Sequence, residues 1–182
     1  AALAPKTSAQ QRGLLYEAHD YALLSKAANA VFLMTYEWGY VYGEPQAIAP
    51  LPQVRAVLDY ALSVTAGENI FLGAPLYAYD WPLPYEKGRT RAETFSSQAA
   101  VARARLVGAE IEFDETARSP YYHYFDKMRR EHVVWFEDAR SLRAKIALAA
   151  EKGLQGIGFW QAGRELAQAW PLLDALVTLE TL

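Results

Sequence analysis

The sequence of 182 residues has no cysteine. That excludes disulfide bridges, cysteine-ligated zinc and thiol catalysis together, while leaving the redox compartment open. No run of Lys and Arg occurs either: 18 basic residues face 21 acidic ones, for a formal charge of −3. Nucleic acid and anionic membrane surfaces are bound through basic patches, so neither is an expected partner. Histidine is scarce, and His19, His123 and His132 are too scattered for a metal site and form no H-E-x-x-H pattern. No metal and no other cofactor is expected, and surface or structural roles are assigned to the three rings. No apolar stretch nears the roughly 20 residues of a membrane span. Ala1 to Pro5 lacks the charged and hydrophobic regions of a signal peptide, and a soluble chain is expected. A nucleophile elbow and a glycine-rich phosphate loop are missing too, which removes esterase and nucleotide-hydrolase readings.

What is present is apolar mass, 52% of residues, enough for one globular core. Ala1 to Pro5 reads as the end of a strand, and a polar, weakly helical stretch runs to about Asn29. Val31 to Tyr36, Ile70 to Ala74 and Gly156 to Trp160 are short apolar runs of buried-strand type. Val54, Val57, Leu58, Ala61 and Leu62 stand at helical spacing and predict a helix over Gln53 to Val64. Asp138 can cap a second helix that ends at Gly153, and Leu166, Leu172, Leu173 and Leu176 mark a last one. This alternation predicts a parallel sheet covered by helices on both faces. Pro82 to Glu137 is too long for a plain loop. It predicts a helix over Phe95 to Leu106 and antiparallel strands over Ala109 to Phe113, Tyr121 to Asp126 and Glu131 to Phe136, with a turn at Arg129-Arg130.

In parallel α/β folds the crevice lies at the carboxyl ends of the strands. The first strand ends in Tyr36-Glu37-Trp38, the second in Tyr77 followed by Tyr79-Asp80-Trp81, and the third in Trp160-Gln161. Aromatic rings beside carboxylates and amides suit a sugar, because rings stack on the C–H face of a pyranose while polar groups bond its hydroxyls. For any one ring, plugging the end of the sheet is an equal alternative; repetition at three strand ends favours a site. Tyr36, Glu37, Trp38, Tyr77, Asp80, Trp81, Trp160 and Gln161 are the candidates.

Several segments, in order, carry a family resemblance: Leu3-Ala4-Pro5-Lys6-Thr7-Ser8, Leu15-Tyr16-Glu17-Ala18-His19-Asp20-Tyr21, Leu33-Met34-Thr35-Tyr36-Glu37-Trp38-Gly39-Tyr40, Phe71-Leu72-Gly73-Ala74-Pro75-Leu76-Tyr77, Val134-Trp135-Phe136-Glu137-Asp138-Ala139-Arg140-Ser141 and Gly156-Ile157-Gly158-Phe159-Trp160. The chain resembles glycoside hydrolase family 18, and within it the spore cortex-lytic and germination branch related to chitinases. The resemblance implies an α/β fold, the C-terminal half (strands five to eight) of a (β/α)8 barrel with an α+β insertion. It divides the chain into half-barrel segments 1–81 and 138–182 around an insertion at 82–137. It implies cleavage of β-linked N-acetylglucosamine polymers, peptidoglycan or chitin-like, in which the substrate's own acetamido carbonyl attacks the anomeric carbon. Tyr36 would then bond the acetamido group, Glu37 would stand where chitinases usually have Asp, Trp160 would floor the reacting sugar's subsite with Tyr77 near it, and Met34 would pack beneath. The parent protein would be extracellular, cell-wall or spore-associated. The acid of this chemistry belongs to a D-x-x-D-x-E motif, and no such motif occurs in these 182 residues. A noncatalytic sugar-binding module or half-barrel assembly unit therefore stays open. An open half-barrel, with Phe32, Phe71, Ile157 and Phe159 facing inward, is expected to form a homodimer or larger species.

Overall fold

The computed structural model describes residues 1–164 and 166–176. Glu165 and residues 177–182, part of the segment 138–182 expected from the sequence, lie outside the described residues. Strand β1 (Ala2–Leu3) is followed by helix α1 (Tyr21–Ala27), β2 (Val31–Leu33), α2 (Leu51–Leu62) and β3 (Ile70–Pro75). Then come β4 (Tyr77–Pro82), β5 (Glu93–Ser96), α3 (Ser97–Val107), β6 (Glu112–Asp114), β7 (Ser119–Phe125) and β8 (Glu131–Trp135). Next are α4 (Ala139–Glu151), β9 (Gly156–Trp160) and α5 (Ala169–Leu176). Strands β1-β2-β3-β9 make a parallel sheet in that order, and β5-β4-β8-β7-β6 make an antiparallel one. Among the described residues no helix is long and apolar enough to cross a membrane.

Helices α1, α3 and α4 each start where a side chain satisfies a free amide. Asp20 accepts from Leu23 N–H at α1, Ser96 from Ala99 N–H at α3, and Asp138 with Ser141 forms a reciprocal capping box at α4. Helix α2 begins two residues before the predicted start, because Pro52 fits the first turn of a helix, where its missing N–H costs nothing. Val54, Val57, Leu58 and Ala61 of α2 are buried in one cluster with Val31, Leu33, Ile70 and Leu72 of the sheet.

Register separates the two faces of the parallel sheet. Leu33, Leu72 and Ile157 are paired across neighbouring strands, as are Ala74 and Phe159. Ile157 and Phe159 therefore lie on the helix-covered face and not on the inner one expected for them. The inner face carries Phe32 and Phe71, in register with Gly156. Its glycines are used for close approach: a Cβ on Gly73 or Gly158 would come within 2.8 or 2.6 Å of the Phe32 ring, and one on Gly156 within 3.2 Å of Phe71. Both rings lie across bare backbone and stay half-buried.

A single residue, Leu76, separates β3 from β4, so the chain passes from one sheet into the other almost without a turn. The antiparallel sheet thus takes in Tyr77 to Trp81, which a boundary at Pro82 had grouped with the parallel strands. The predicted helix over Phe95 to Leu106 is α3, starting at Ser97 because Ser96 is its cap and Glu93–Ser96 pairs with β4. The turn at Arg129-Arg130 is present, with Asp126 accepting from the Met128 and Arg130 amides.

The way back is fixed by a buried ion pair. Lys145 Nζ donates to both Glu137 carboxylate oxygens, at 3.0 and 2.8 Å, and neither side chain is exposed. Burial pushes the Glu137 carboxyl up from its ordinary range, and the Lys145 ammonium opposes that shift. Glu137 N–H also donates to Ser97 Oγ, whose backbone N–H donates to Leu76 O. Entry and exit of the antiparallel region thus meet at Ser97. Removing one partner strands a buried charge, so Lys145→Met should lower stability by about 3–5 kcal/mol, whereas Glu137→Leu with Lys145→Met should recover most of that loss. Urea unfolding checks this; equal losses in the single and double variants would show that an unpaired buried charge is not what the single variant suffers from.

Candidate active site

Beyond Leu33 the chain leaves β2 as Met34-Thr35-Tyr36-Glu37. The buried Thr35 hydroxyl donates to Gly73 O at 2.7 Å, which keeps this segment beside β3. Glu37 has φ 73°, in the left-handed region that side chains other than glycine rarely adopt. Such strain persists only where neighbours over-determine it. Here Trp38 N–H donates to Ile48 O at 3.1 Å and Gly39 N–H to Ala47 O at 3.0 Å. Gly39 has no room for a side chain, since a Cβ would lie 2.2 Å from Gln46 O.

Alternate residues of β4 reach this carboxylate. Tyr77 and Tyr79 point to the same face, and both hydroxyls donate to Glu37 Oε1, Tyr79 at 2.8 Å. Their rings pack edge to face at 5.4 Å, and Tyr36 meets Tyr77 the same way at 6.4 Å. Burial, and then the nearby Glu37 charge, pushes the Tyr36 hydroxyl up to about 12 and raises Tyr77 and Tyr79 further. Two protonated donors are thereby committed to one oxygen. Glu37 Oε2 and the Tyr36 hydroxyl make no hydrogen bond among the described residues. Tyr36 and Glu37 line a groove of about 560 Å³ whose other walls include Met34, Trp38, Leu15 and His19. Among the described residues no group of three His, Asp or Glu is placed to hold a metal ion.

Comparison with known proteins decides the family. The sequence profile of glycosyl hydrolases family 18 matches residues 2–165. This chain belongs to that family. A cortical fragment-lytic enzyme of Bacillus subtilis (strain 168) is 49% identical over 173 residues, 95% of this chain and 40% of that protein. The crystal structure of the Bacillus cereus spore cortex-lytic enzyme SleL superposes with a TM-score of 0.93 at 44% identity, over 97% of this chain and 41% of that one. That of the Bacillus megaterium QM B1551 spore cortex-lytic enzyme SleL gives 0.91 at 43% identity, over 97% and 40%. The chain therefore spans about two fifths of the length of these relatives. Its fold class is the one read from the sequence: α/β, half of a (β/α)8 barrel with an α+β insertion.

Within this family 18 framework the strand-end residues separate into two groups. Tyr36, Glu37 and Tyr77 converge, and Trp38 lines the same groove. Trp160 sits at the end of β9 beside Pro75, 53% exposed, with exposed Gln161 joined to it by a cis peptide bond; neither lines the groove at Glu37. Asp80 and Trp81 are elsewhere. Asp80, 2% exposed, lies on the opposite face of β4 from Tyr77 and accepts from Arg103 at 2.6 Å, Tyr124 at 2.6 Å and His132 at 2.7 Å. Trp81 is fully buried against Tyr79 and donates from Nε1 to Gly43 O at 2.9 Å. Both were selected for standing after a strand; they stand inside the next one, where alternation sends Asp80 away and burial consumes Trp81. Tyr79 was passed over as a site residue, although its period-two spacing from Tyr77 is readable in the sequence. His19 was assigned a surface or structural role and lines the groove.

The tyrosines also set an alkaline limit. Their hydroxyls ionise at higher pH in the folded chain than at the ordinary 10.0, so the folded form holds their protons more tightly. The stability linked to Tyr36 is fully present below pH 10 and is lost as pH climbs to about 12. Urea midpoints should be flat up to about pH 10 and then fall, in step with tyrosinate absorbance lagging behind that of the unfolded chain. Tyrosines that all titrate as in the unfolded chain would contradict this.

Proposed function

We propose that this chain supplies the sugar-holding half of a family 18 active site, in a protein that hydrolyses β-linked N-acetylglucosamine polymers of the spore-cortex peptidoglycan type by substrate-assisted catalysis. The observation that carries the reading is the Glu37 carboxylate, fixed through Oε1 by Tyr77 and Tyr79 while Oε2 and the Tyr36 hydroxyl stay free at the groove. Tyr36 would bond the acetamido group whose carbonyl attacks the anomeric carbon, Glu37 would orient and stabilise that group, Trp160 would floor the reacting sugar's subsite, and Trp38 would offer a ring face in the groove. The names of the similar Bacillus proteins, cortical fragment-lytic and spore cortex-lytic enzymes, support the substrate class and a spore or cell-wall location. The three-part division, half-barrel segments 1–81 and 138–182 around an insertion at 82–137, belongs to the same proposal, with its first seam inside β4.

The general acid is not among these residues, since D-x-x-D-x-E does not occur in the sequence. Proton transfer by such a group contributes typically 10²–10⁴-fold, roughly 3–5 kcal/mol of barrier. That absence favours, for the chain on its own, a second reading as a noncatalytic sugar-binding or half-barrel assembly unit. The parallel sheet also ends in β1 on one side and β9 on the other, and unpaired strand edges invite pairing with another chain. Two copies joined by a twofold axis would bring their Phe32 and Phe71 faces together.

Three measurements test these statements. The purified chain should not hydrolyse a chromogenic chitobioside; turnover abolished by Glu37→Gln would show that it carries its own chemistry. N-acetylglucosamine oligomers should quench its tryptophan fluorescence, and Trp160→Ala should remove most of the response with the fold intact, whereas an undiminished response would take Trp160 out of the binding surface. Light scattering at micromolar concentration should report a dimer or larger species; a cooperatively melting monomer would refute the assembly.

A further inference from the structure

We infer that His19 is a sugar-binding residue of this groove, donating from Nε2 to a carbonyl or hydroxyl oxygen of an N-acetylated sugar. The inference rests on the groove being a sugar site and adds the identity of one donor in it. The chemistry starts at the other ring nitrogen. Ala4 N–H donates to His19 Nδ1 at 2.6 Å. A backbone amide can only donate, so Nδ1 is the bare nitrogen and the ring proton sits on Nε2. Nε2 makes no hydrogen bond among the described residues, and it is not one of their enclosed, unpartnered polar atoms. The ring therefore presents a free N–H while lining the groove with Tyr36 and Glu37.

Its direction is set in advance. Lys6 Nζ donates to His19 O at 3.1 Å, and Lys6 N–H donates to the Tyr21 hydroxyl at 2.9 Å, which in turn donates to Ala4 O at 2.5 Å. Asp20, next in sequence, caps α1 through Leu23 N–H at 3.0 Å. Four hydrogen bonds on both sides of the imidazole lock it to the end of β1, so little freedom is left to lose when a ligand arrives. The groove then offers a carboxylate oxygen at Glu37, a hydroxyl at Tyr36 and an obligate donor at His19, beside apolar Met34, Leu15 and Pro5. An amide carbonyl needs a donor, and its methyl needs an apolar wall. An N-acetylated sugar has both parts, and an unsubstituted sugar has only hydroxyls.

Two substitutions separate this role from a structural one, because a purely structural His19 uses Nδ1 alone. His19→Asn keeps an acceptor near the Nδ1 position and removes the Nε2 donor; His19→Gln places an amide N–H near the Nε2 position and gives up the bond to Ala4. Binding of tetra-N-acetylchitotetraose to the 182-residue chain is followed by calorimetry, and stability by urea unfolding. His19→Asn should weaken Kd about three- to tenfold, the range of one neutral hydrogen bond, with its urea midpoint kept. His19→Gln should keep Kd and lose midpoint. Unchanged Kd in a folded His19→Asn chain overturns the inference and leaves the sugar groove standing. A wild-type chain that does not bind the tetrasaccharide overturns both. If His19→Asn fails to fold, the imidazole 15N spectrum of the wild-type decides: an Nε2 resonance that moves at saturation supports the assignment, and one that does not move overturns it.

Discussion

Tyr77 and Tyr79 belong to the antiparallel sheet, Glu37 to the end of a parallel strand, and the hydrogen bonds between them exist only if the two sheets hold one relative position. The connection that sets this position is covalent and short. With Leu76 alone between β3 and β4, the direction of β4 follows from that of β3, and Leu76 N–H is itself tied to Trp160 O at 2.7 Å. A loop of ordinary length there would allow the tyrosines to swing. The price of so direct a crossing is that β4 must be covered on both sides: Tyr77, Tyr79 and Trp81 on one, Ala78 and Asp80 on the other, are all buried.

Asp80 on this strand, and the Glu137–Lys145 pair near the exit of the antiparallel region, carry buried charge that is satisfied in two different ways. Asp80 is held by an arginine, a tyrosine and a histidine, so its oxygens are satisfied by several donors from α3, β7 and β8. Glu137 and Lys145 have each other, and they join the residue ahead of the α4 cap Asp138 to the middle of that helix. An apolar pair of the same volume could match their stability, since desolvation offsets most of the Coulombic gain. What an apolar pair would lack is direction. A charge pair with two oxygens on one ammonium tolerates little sliding of α4 against the strand exit, and the position of that exit also fixes Ser97, which closes the ring back to Leu76.

The parallel strands were legible because each is a continuous apolar run, and the α4 start because Asp138, a capping residue, stands just ahead of it. β4 was not legible as a strand. Tyr77, Tyr79 and Trp81 do alternate with Ala78 and Asp80, but both faces are buried and the aromatics follow a strand end directly, which read as a binding site at that end. The same blindness misassigned Asp80 and Trp81, whose fates depend on which face of β4 they occupy. Ile157 and Phe159 were misplaced for a simpler reason. Period-two alternation says that they share a face and does not say which one, and register with Leu72 and Ala74 supplies the answer. His19 had no signal in spacing at all, because its partner Ala4 is fifteen residues away and contributes a backbone amide, which no residue pattern encodes.

The two walls of the groove differ in stiffness, and this bears on how a ligand would be held. On the Glu37 side two tyrosine hydroxyls hold one carboxylate oxygen, the rings pack edge to face, and a left-handed backbone is clamped by the Trp38 and Gly39 hydrogen bonds. Across from it, residues 6–20 are fastened at their base by Ala4, Lys6, Tyr21 and Gln11, while Leu14 and Leu15 project almost wholly into solvent. Exposed leucines gain roughly 1.5–3 kcal/mol each on full burial, so a ligand lying against them would find apolar contact on that side of the groove. The imidazole of His19 sits at the anchored base of the rim. A donor placed there is held from both flanks of the imidazole, by Lys6 on His19 O and by the Asp20 cap, so it is positioned before a ligand arrives.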